Sequence, residues 1–253
     1  MPGLDGKIAL VTGAGRGIGR AAALELARAG ARVAIVARSG DELDATAERV
    51  REIGGTVLVI RADLGEPGGL PGVVRRVAGT LGSVQILINN AATAAPVGAA
   101  VSVDPAAWAA AFQVNVVAPA TLAFLLLPAM LDRRWGRVVN VSSGIVDEPG
   151  ELIRGNAYVA SKAALEAHTL NLAAELADSG VTVNVFRPGA VHTAMFAYLQ
   201  GHPATVGSAG LHDWAVRAYA EGELITPADA ARSLLAHLPT DASGQIWDVS
   251  DAL

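Results

Sequence analysis

The chain has 253 residues, 52% of them apolar, with 19 basic against 24 acidic side chains and a net charge of −5. A domain of this size buries roughly three quarters of its unfolded surface, so a large core is expected, and mild acidity without blocks of like charge argues against nucleic acid or an anionic membrane as the main partner. Cysteine is absent, which excludes disulfides, thiolate catalysis and cysteine-bound metal and suits a cytoplasmic protein.

The first apolar run, Ile8 to Val11 plus Thr12, is too short for a signal peptide, and Ile8 to Val11 reads as a short buried strand followed by glycines. A helix over Ile18 to Ala29 stops at Gly30, and Val33 to Ala37 is a second strand. Asp41 to Ile53 is helical, Thr56 to Ile60 is strand three, Val73 to Leu81 is helical and Val84 to Ile88 is strand four. Asp104 and Pro105 are the N-cap and first position of a long helix running towards Leu131, since the carboxylate accepts orphan amides and proline has none to lose. Its apolar part, Val116 to Leu131, is interrupted by Pro119, Thr121 and Pro128 and falls short of the roughly 18 to 20 residues of a membrane span, so it reads as a buried helix. Arg137 to Val141, Val181 to Phe186 and Ile246 to Val249 are further strands, with helices over Ala157 to Asp178 and Asp229 to Leu238. Apolar strands alternating with helices describe a parallel sheet covered on both faces. The expectation is a single doubly wound α/β Rossmann-type domain over 1–253, with about seven strands and with ligands at their carboxyl ends.

Strand one runs into Thr12-Gly13-Ala14-Gly15-Arg16-Gly17-Ile18-Gly19. Glycines there permit a tight turn and let backbone approach a pyrophosphate at the following helix N-terminus. At the other end of the chemistry, Tyr158 and Lys162 are spaced i, i+4 on one helix face. A phenol near pKa 10 is a poor proton carrier at neutral pH, and a neighbouring cation favours its ionised form. Lys162 is one of only two lysines in the chain.

The T-G-x-x-x-G-x-G spacing resembles that of the short-chain dehydrogenase/reductase family, and the resemblance extends from about Gly6 to Val249. Asp63-Leu64 looks like the family's adenine-contacting pair, and Asn89-Asn90-Ala91-Ala92 resembles its N-N-A-G, with Ala92 standing for glycine. Pro188-Gly189 with Val191 and Thr193 resembles the segment that carries the nicotinamide carboxamide. The resemblance implies a catalytic set of Asn115, Ser143, Tyr158 and Lys162 and no metal. Tyr158 would protonate a carbonyl oxygen polarised by Ser143, Lys162 would lower the tyrosine pKa and hold the nicotinamide ribose, and Asn115 would complete a proton relay. The spacing from Ser143 to Tyr158 is two residues longer than is usual in the family, and the added loop carries Asp147, Glu148 and Glu151, which are expected to face water.

Strand two ends in Ala37-Arg38, where NAD-binding folds commonly carry an acid. Arg38 and Arg16 can offer charge-assisted hydrogen bonds to a 2′-phosphate, so NADP(H) is favoured over NAD(H). The cofactor-binding set is then Gly13, Gly15, Arg16, Gly17, Ile18, Gly19, Arg38, Asp63, Leu64, Asn90, Ala91, Tyr158, Lys162, Pro188, Gly189, Val191 and Thr193. A segment at about 191–225, with Met195, Phe196, Tyr198, Leu199, Leu211, Trp214 and Tyr219, is expected to cover the site and to select a hydrophobic ketone or alcohol. Helices 104–131 and 157–178 are apolar on more than one face, and the resemblance implies a homodimer or homotetramer built on them. The alternatives are a nicotinamide-binding redox-sensing regulator without turnover, which would not need Tyr158, and a non-redox lyase or epimerase, whose relatives in the family are usually longer.

Overall fold

The computed structural model describes residues 3–201 and 224–252. Its centre is a seven-stranded parallel sheet in the order β3-β2-β1-β4-β5-β6-β7. The strands are β1 (Ile8–Thr12), β2 (Arg32–Ala37), β3 (Val57–Arg61), β4 (Ile86–Asn89), β5 (Gly136–Val141), β6 (Val181–Arg187) and β7 (Ile246–Asp248). Four of them, β1, β4, β5 and β6, are buried along their whole length. That burial is why they read as continuous apolar runs.

Alternate residues of one strand feed opposite faces of a sheet. Ala9 and Val11 of β1 join one core cluster with Leu26 of α1 (Gly17–Arg28) and Leu234 of α8 (Pro227–His237). Ile8 and Leu10 join another with Val77 of α3 (Leu70–Thr80), Leu122 of α5 (Ala118–Asp132) and Leu172 of α6 (Asn156–Glu175). Val33 and Ile35 of β2 divide from Ala34 and Val36 in the same way. The sheet is therefore covered on both faces, as a doubly wound fold requires. The remaining helices are α2 (Gly40–Glu52), α4 (Pro105–Phe112) and α7 (Ala194–Gly201). Chain order reverses between β1 and β4, which opens a crevice at their carboxyl ends.

Asp104 caps α4, accepting from the Ala106 amide at 3.0 Å with Pro105 at the first position. The long helix read from sequence is interrupted, however, by a π-helical turn at Gln113–Val117. Pro119, just beyond, has no N–H to give the Asn115 carbonyl four residues back, and a proline ring crowds that carbonyl in a regular helix. A widened turn before it relieves both problems. The prolines do not break the run: Pro105–Asp132 is 28 helical residues, long and apolar enough to cross a membrane by length and composition. Its inner side chains, Leu122, Ala123, Leu126 and Met130, are packed in the core, while Phe124 is 55% exposed. The α6 helix ends at Glu175, short of the expected Asp178, which takes a left-handed φ of 61°. β7 ends at Asp248, where a 3₁₀ turn takes over.

Candidate active site

The link from β1 to α1 turns twice through left-handed backbone, at Gly13 (φ 65°) and Gly17 (φ 57°), which only glycine adopts without strain. Gly19 is needed for a different reason. A Cβ there would stand 2.4 Å from the Gly13 carbonyl oxygen and 2.5 Å from Asn90 Nδ2. The Asn90 side chain donates to the carbonyls of Thr12 and Gly13 at 2.9 and 3.3 Å. In return, Thr12 Oγ1 accepts the amides of Asn90 and Ala91 at 3.0 and 3.1 Å. The ends of β1 and β4 are thus tied across the crevice. The N-cap residue of α1, Arg16, makes no side-chain capping bond to the helix, which leaves its opening amides suited to an anionic group of a ligand. Ala92 needs no glycine, because it is not among the residues with positive φ.

A cleft of about 1150 Å³ runs along these strand ends. It brings together Gly13, Gly15, Arg16, Gly17, Ile18, Arg38, Asp63, Leu64, Asn90 and Ala91 at one end with Ser143, Tyr158, Lys162, Pro188, Gly189, Val191 and Thr193. Two of the expected residues, Gly19 and Asn115, do not line it. Gly19 sits beneath the loop. Asn115 is wholly buried in the π turn, where its side chain exchanges two hydrogen bonds with the Thr93 backbone (2.8 and 2.9 Å) and donates to Ser161 Oγ at 2.9 Å. It thereby braces the β4 loop against α6.

Ser143 follows β5, and Tyr158 and Lys162 stand on the first turns of α6. The Ser143 hydroxyl stands near enough to the Tyr158 phenol to favour its ionised form, and it accepts the Ile145 amide at 3.4 Å. Both Tyr158 and Lys162 are buried. Lys162 Nζ donates to the Val141 carbonyl at 2.7 Å and lies 5.7 Å from the Tyr158 ring centre. Burial pushes the Tyr158 phenol above its ordinary value, and the nearby Ser143 hydroxyl opposes this only in part. The shift is therefore opposite to the lowering expected beside Lys162, whose Nζ is engaged by the Val141 carbonyl. Burial also lowers the Lys162 ammonium to about 8, against the opposing pull of Glu166.

At the far end, Arg16 and Arg38 are exposed, and Arg16 meets Glu42 at 3.3 Å. Glu42 lines the cleft from the first turn of α2 and was not among the expected residues; its only sequence signal is an acid four positions after Arg38. Asp63 accepts the Gly65 amide at 2.8 Å, so it caps a turn and also faces the cleft. The segment after β6 pairs Val191 with Ile225 and brings Thr193 beside Gly17, within 3.4 Å of a Cβ placed there. Met195, Phe196 and Leu199 of α7 line the cleft, and Tyr198 is partly exposed; Leu211, Trp214 and Tyr219 lie outside the described residues. The wall around Tyr158 is apolar: Ala94 and Leu152 are buried with it, and Ile145, Met195 and Leu199 pack against them. Asp147, Glu148 and Glu151 are exposed to water as expected, and Asp147 also pairs with Arg187. Among the described residues no cluster of metal-binding side chains occurs.

A cleft at the switch point of a parallel sheet, with a serine, a tyrosine and a lysine at one end, is an arrangement suited to an oxidoreductase of the Rossmann class. The chain matches the short chain dehydrogenase family over residues 7–203, and it belongs to that family. It is 37% identical over 196 residues to a short chain dehydrogenase of Pseudocercospora fijiensis, covering 77% of this chain and 62% of that one. It is 34% identical to the 3-oxoacyl-acyl-carrier-protein reductase of Escherichia coli K12, covering 76% of each. Among solved structures, an actinorhodin polyketide ketoreductase variant with NADPH superposes with a TM-score of 0.87 at 29% identity, covering 98% and 97% of the two chains. The L-sorbose reductase of Gluconobacter frateurii, complexed with NADPH and L-sorbose, gives 0.85 at 27%, covering 96% and 95%.

Proposed function

We propose that this protein transfers a hydride between NADP(H) and an uncharged, hydrophobic ketone or the matching secondary alcohol. The observation that carries the reading is the convergence of Ser143, Tyr158 and Lys162 on the same cleft as the glycine loop. The cradle fits the cofactor: a Cβ at Gly13 would meet Asn90 and Ala91 within 3 Å, so the loop is shaped by backbone alone. Gly13, Gly15, Gly17, Ile18 and Gly19 would present the α1 amides to the pyrophosphate, Asp63 and Leu64 would face the adenine, and Asn90 and Ala91 the nearby ribose. Pro188, Gly189, Val191 and Thr193 would hold the nicotinamide carboxamide.

When bound, the nicotinamide supplies or accepts the hydride. The proton falls to this chain. Tyr158, kept protonated by burial, donates to the carbonyl oxygen; Ser143, beside the Tyr158 hydroxyl, polarises that oxygen. Lys162 holds a cation beneath the phenol and carries the ribose contact. Asn115 serves by bracing Thr93 and the α6 backbone through Ser161, and we place it at the inner end of the proton relay.

Preference for the phosphorylated cofactor rests on charge. Arg38 ends β2 where an acid would repel a 2′-phosphate, and NADPH-bound structural relatives support a nicotinamide here. The exposed Arg16–Glu42 pair contributes only about 0–1 kcal/mol, so a phosphate can displace Glu42 from Arg16. The apolar wall around Tyr158 supports a hydrophobic substrate.

The test is NADPH oxidation, followed by absorbance, across a panel of uncharged and phosphorylated ketones. Turnover confined to uncharged ketones is expected. NADPH binding without any turnover would favour the regulator, and product formation at constant NADPH a non-redox enzyme.

We also propose one domain over 1–253 that works in the cytoplasm as a homo-oligomer without nucleic-acid or membrane partners. Phe124, Leu125 and Leu131 of α5 and Leu170 of α6 leave apolar surface exposed, which a second copy would cover. Light scattering at micromolar concentration should give a dimer or tetramer; a monomer would refute it.

A further inference from the structure

Arg187 ends β6 directly before Pro188 and Gly189 of the cleft wall. Its guanidinium side chain is only 7% exposed, yet it binds two carboxylates from distant segments. Nε and Nη2 donate to Glu166 at 2.9 and 2.8 Å, and Nη1 and Nη2 donate to Asp147 at 2.5 and 3.0 Å. Glu166 is as buried as the arginine and stands one helical turn beyond Lys162. Asp147 belongs to the lengthened loop between Ser143 and Tyr158, and its side chain is 67% exposed. Bonding to Glu166 raises the Arg187 pKa still further, burial opposes this, and Asp147 adds to it.

A buried guanidinium is tolerated when its donors are used in planar, two-pronged pairs. One carboxylate would neutralise it. The second comes from an exposed loop that must be ordered to reach it, so the pair adds a polar tie to the apolar packing of Leu152 on Tyr158.

We propose that Arg187 is a positioning residue that latches the Ser143–Tyr158 loop, through Asp147, to the helix carrying Lys162, through Glu166. This rests on the active-site reading given above. The loop arm holds the turn after Ser143, whose hydroxyl contacts Tyr158. The helix arm occupies both Glu166 oxygens, so Glu166 acts on the Lys162 ammonium through space while Nζ stays on the Val141 carbonyl.

Removing Arg187 would strand Glu166 and endanger folding, so the decisive variants lie on the exposed arm. Asp147→Asn keeps shape and removes charge; Asp147→Glu keeps charge and changes length. Amide hydrogen exchange of residues 144–155 is measured in the NADPH complex, alongside the NADPH dissociation constant and kcat and KM for 4-phenyl-2-butanone, an uncharged hydrophobic ketone. In Asp147→Asn, exchange should rise about tenfold and kcat fall three- to tenfold, with NADPH affinity and KM within twofold of wild type. Asp147→Glu should recover most of both losses. Wild-type exchange in Asp147→Asn, or no recovery in Asp147→Glu, overturns the latch. Absence of ketone turnover in the wild type, with the exchange ranking intact, leaves the latch standing and overturns the hydride-transfer reading instead.

Discussion

Lys162 Nζ donates to the Val141 carbonyl oxygen at 2.7 Å, so the cation of the site is anchored on β5 and not on the phenol it serves. Tyr158 faces the Ser143 hydroxyl instead. The three side chains therefore hold separate positions, fixed by two different elements, before any substrate arrives.

Tyr158→Phe removes the proton donor and little else. NADPH affinity and melting temperature should stay near wild type while kcat for ketone reduction falls about 10²-fold or more. Reduction at wild-type kcat would exclude Tyr158 as the acid.

The pH dependence of reduction follows from the two shifts. Reduction needs a protonated Tyr158 and a charged Lys162. The phenol pKa is raised, so it keeps its proton well into alkali, whereas the ammonium titrates at about 8. The rate of the chemical step in single-turnover reduction should accordingly decline as pH rises through about 8. A profile flat to pH 10 would show that the Lys162 charge is not required.

Lys162→Met should inactivate the enzyme and stabilise the fold. The native state binds the lysine proton only below about 8, whereas the unfolded chain holds it up to the ordinary value of 10.5. Between those limits the unfolded state carries more protons, so wild-type stability from this group rises with pH, and its cost is full below about 8. The melting temperature of the variant should exceed wild type at pH 7, by an amount that shrinks between pH 8 and 10.5. Equal melting temperatures at pH 7 would mean that the carbonyl bond offsets the burial.

Arg38 is exposed, so its hold on a 2′-phosphate is screened to about 1 kcal/mol, near fivefold. Arg38→Ala should raise KM for NADPH by that factor, leave kcat and the NADH kinetics alone, and, with Ala37→Asp added, turn preference towards NADH. A ratio of kcat/KM values for NADPH and NADH that does not fall through the series would disprove the assignment.

Gly19→Ala tests the loop. The added methyl would collide with the Gly13 carbonyl and Asn90, while Gly68→Ala enters open space. The first should cost about 1–3 kcal/mol, several degrees in melting temperature, and weaken NADPH binding more than tenfold. The second should change neither.

Strand cores, the glycine loop and the Tyr158–Lys162 spacing were legible in the sequence because each depends on local periodicity or on a few adjacent backbone angles. The alternation of β1 and β2 side chains between the two core clusters follows from the pleat alone. The partners of Arg187 were not legible: Asp147 and Glu166 lie 40 and 21 residues away and meet it only because β5, α6 and β6 stack in one order. Asn115 stands as a polar residue amid apolar ones, yet its bonds to Thr93 and Ser161 are set by how the π turn packs against the β4 loop and α6. The direction of the Tyr158 shift likewise belonged to the tertiary structure. Pairing with a cation can be read from i, i+4 spacing, but desolvation is set by everything packed around the phenol, and here Ala94, Leu152 and α7 make burial the larger effect.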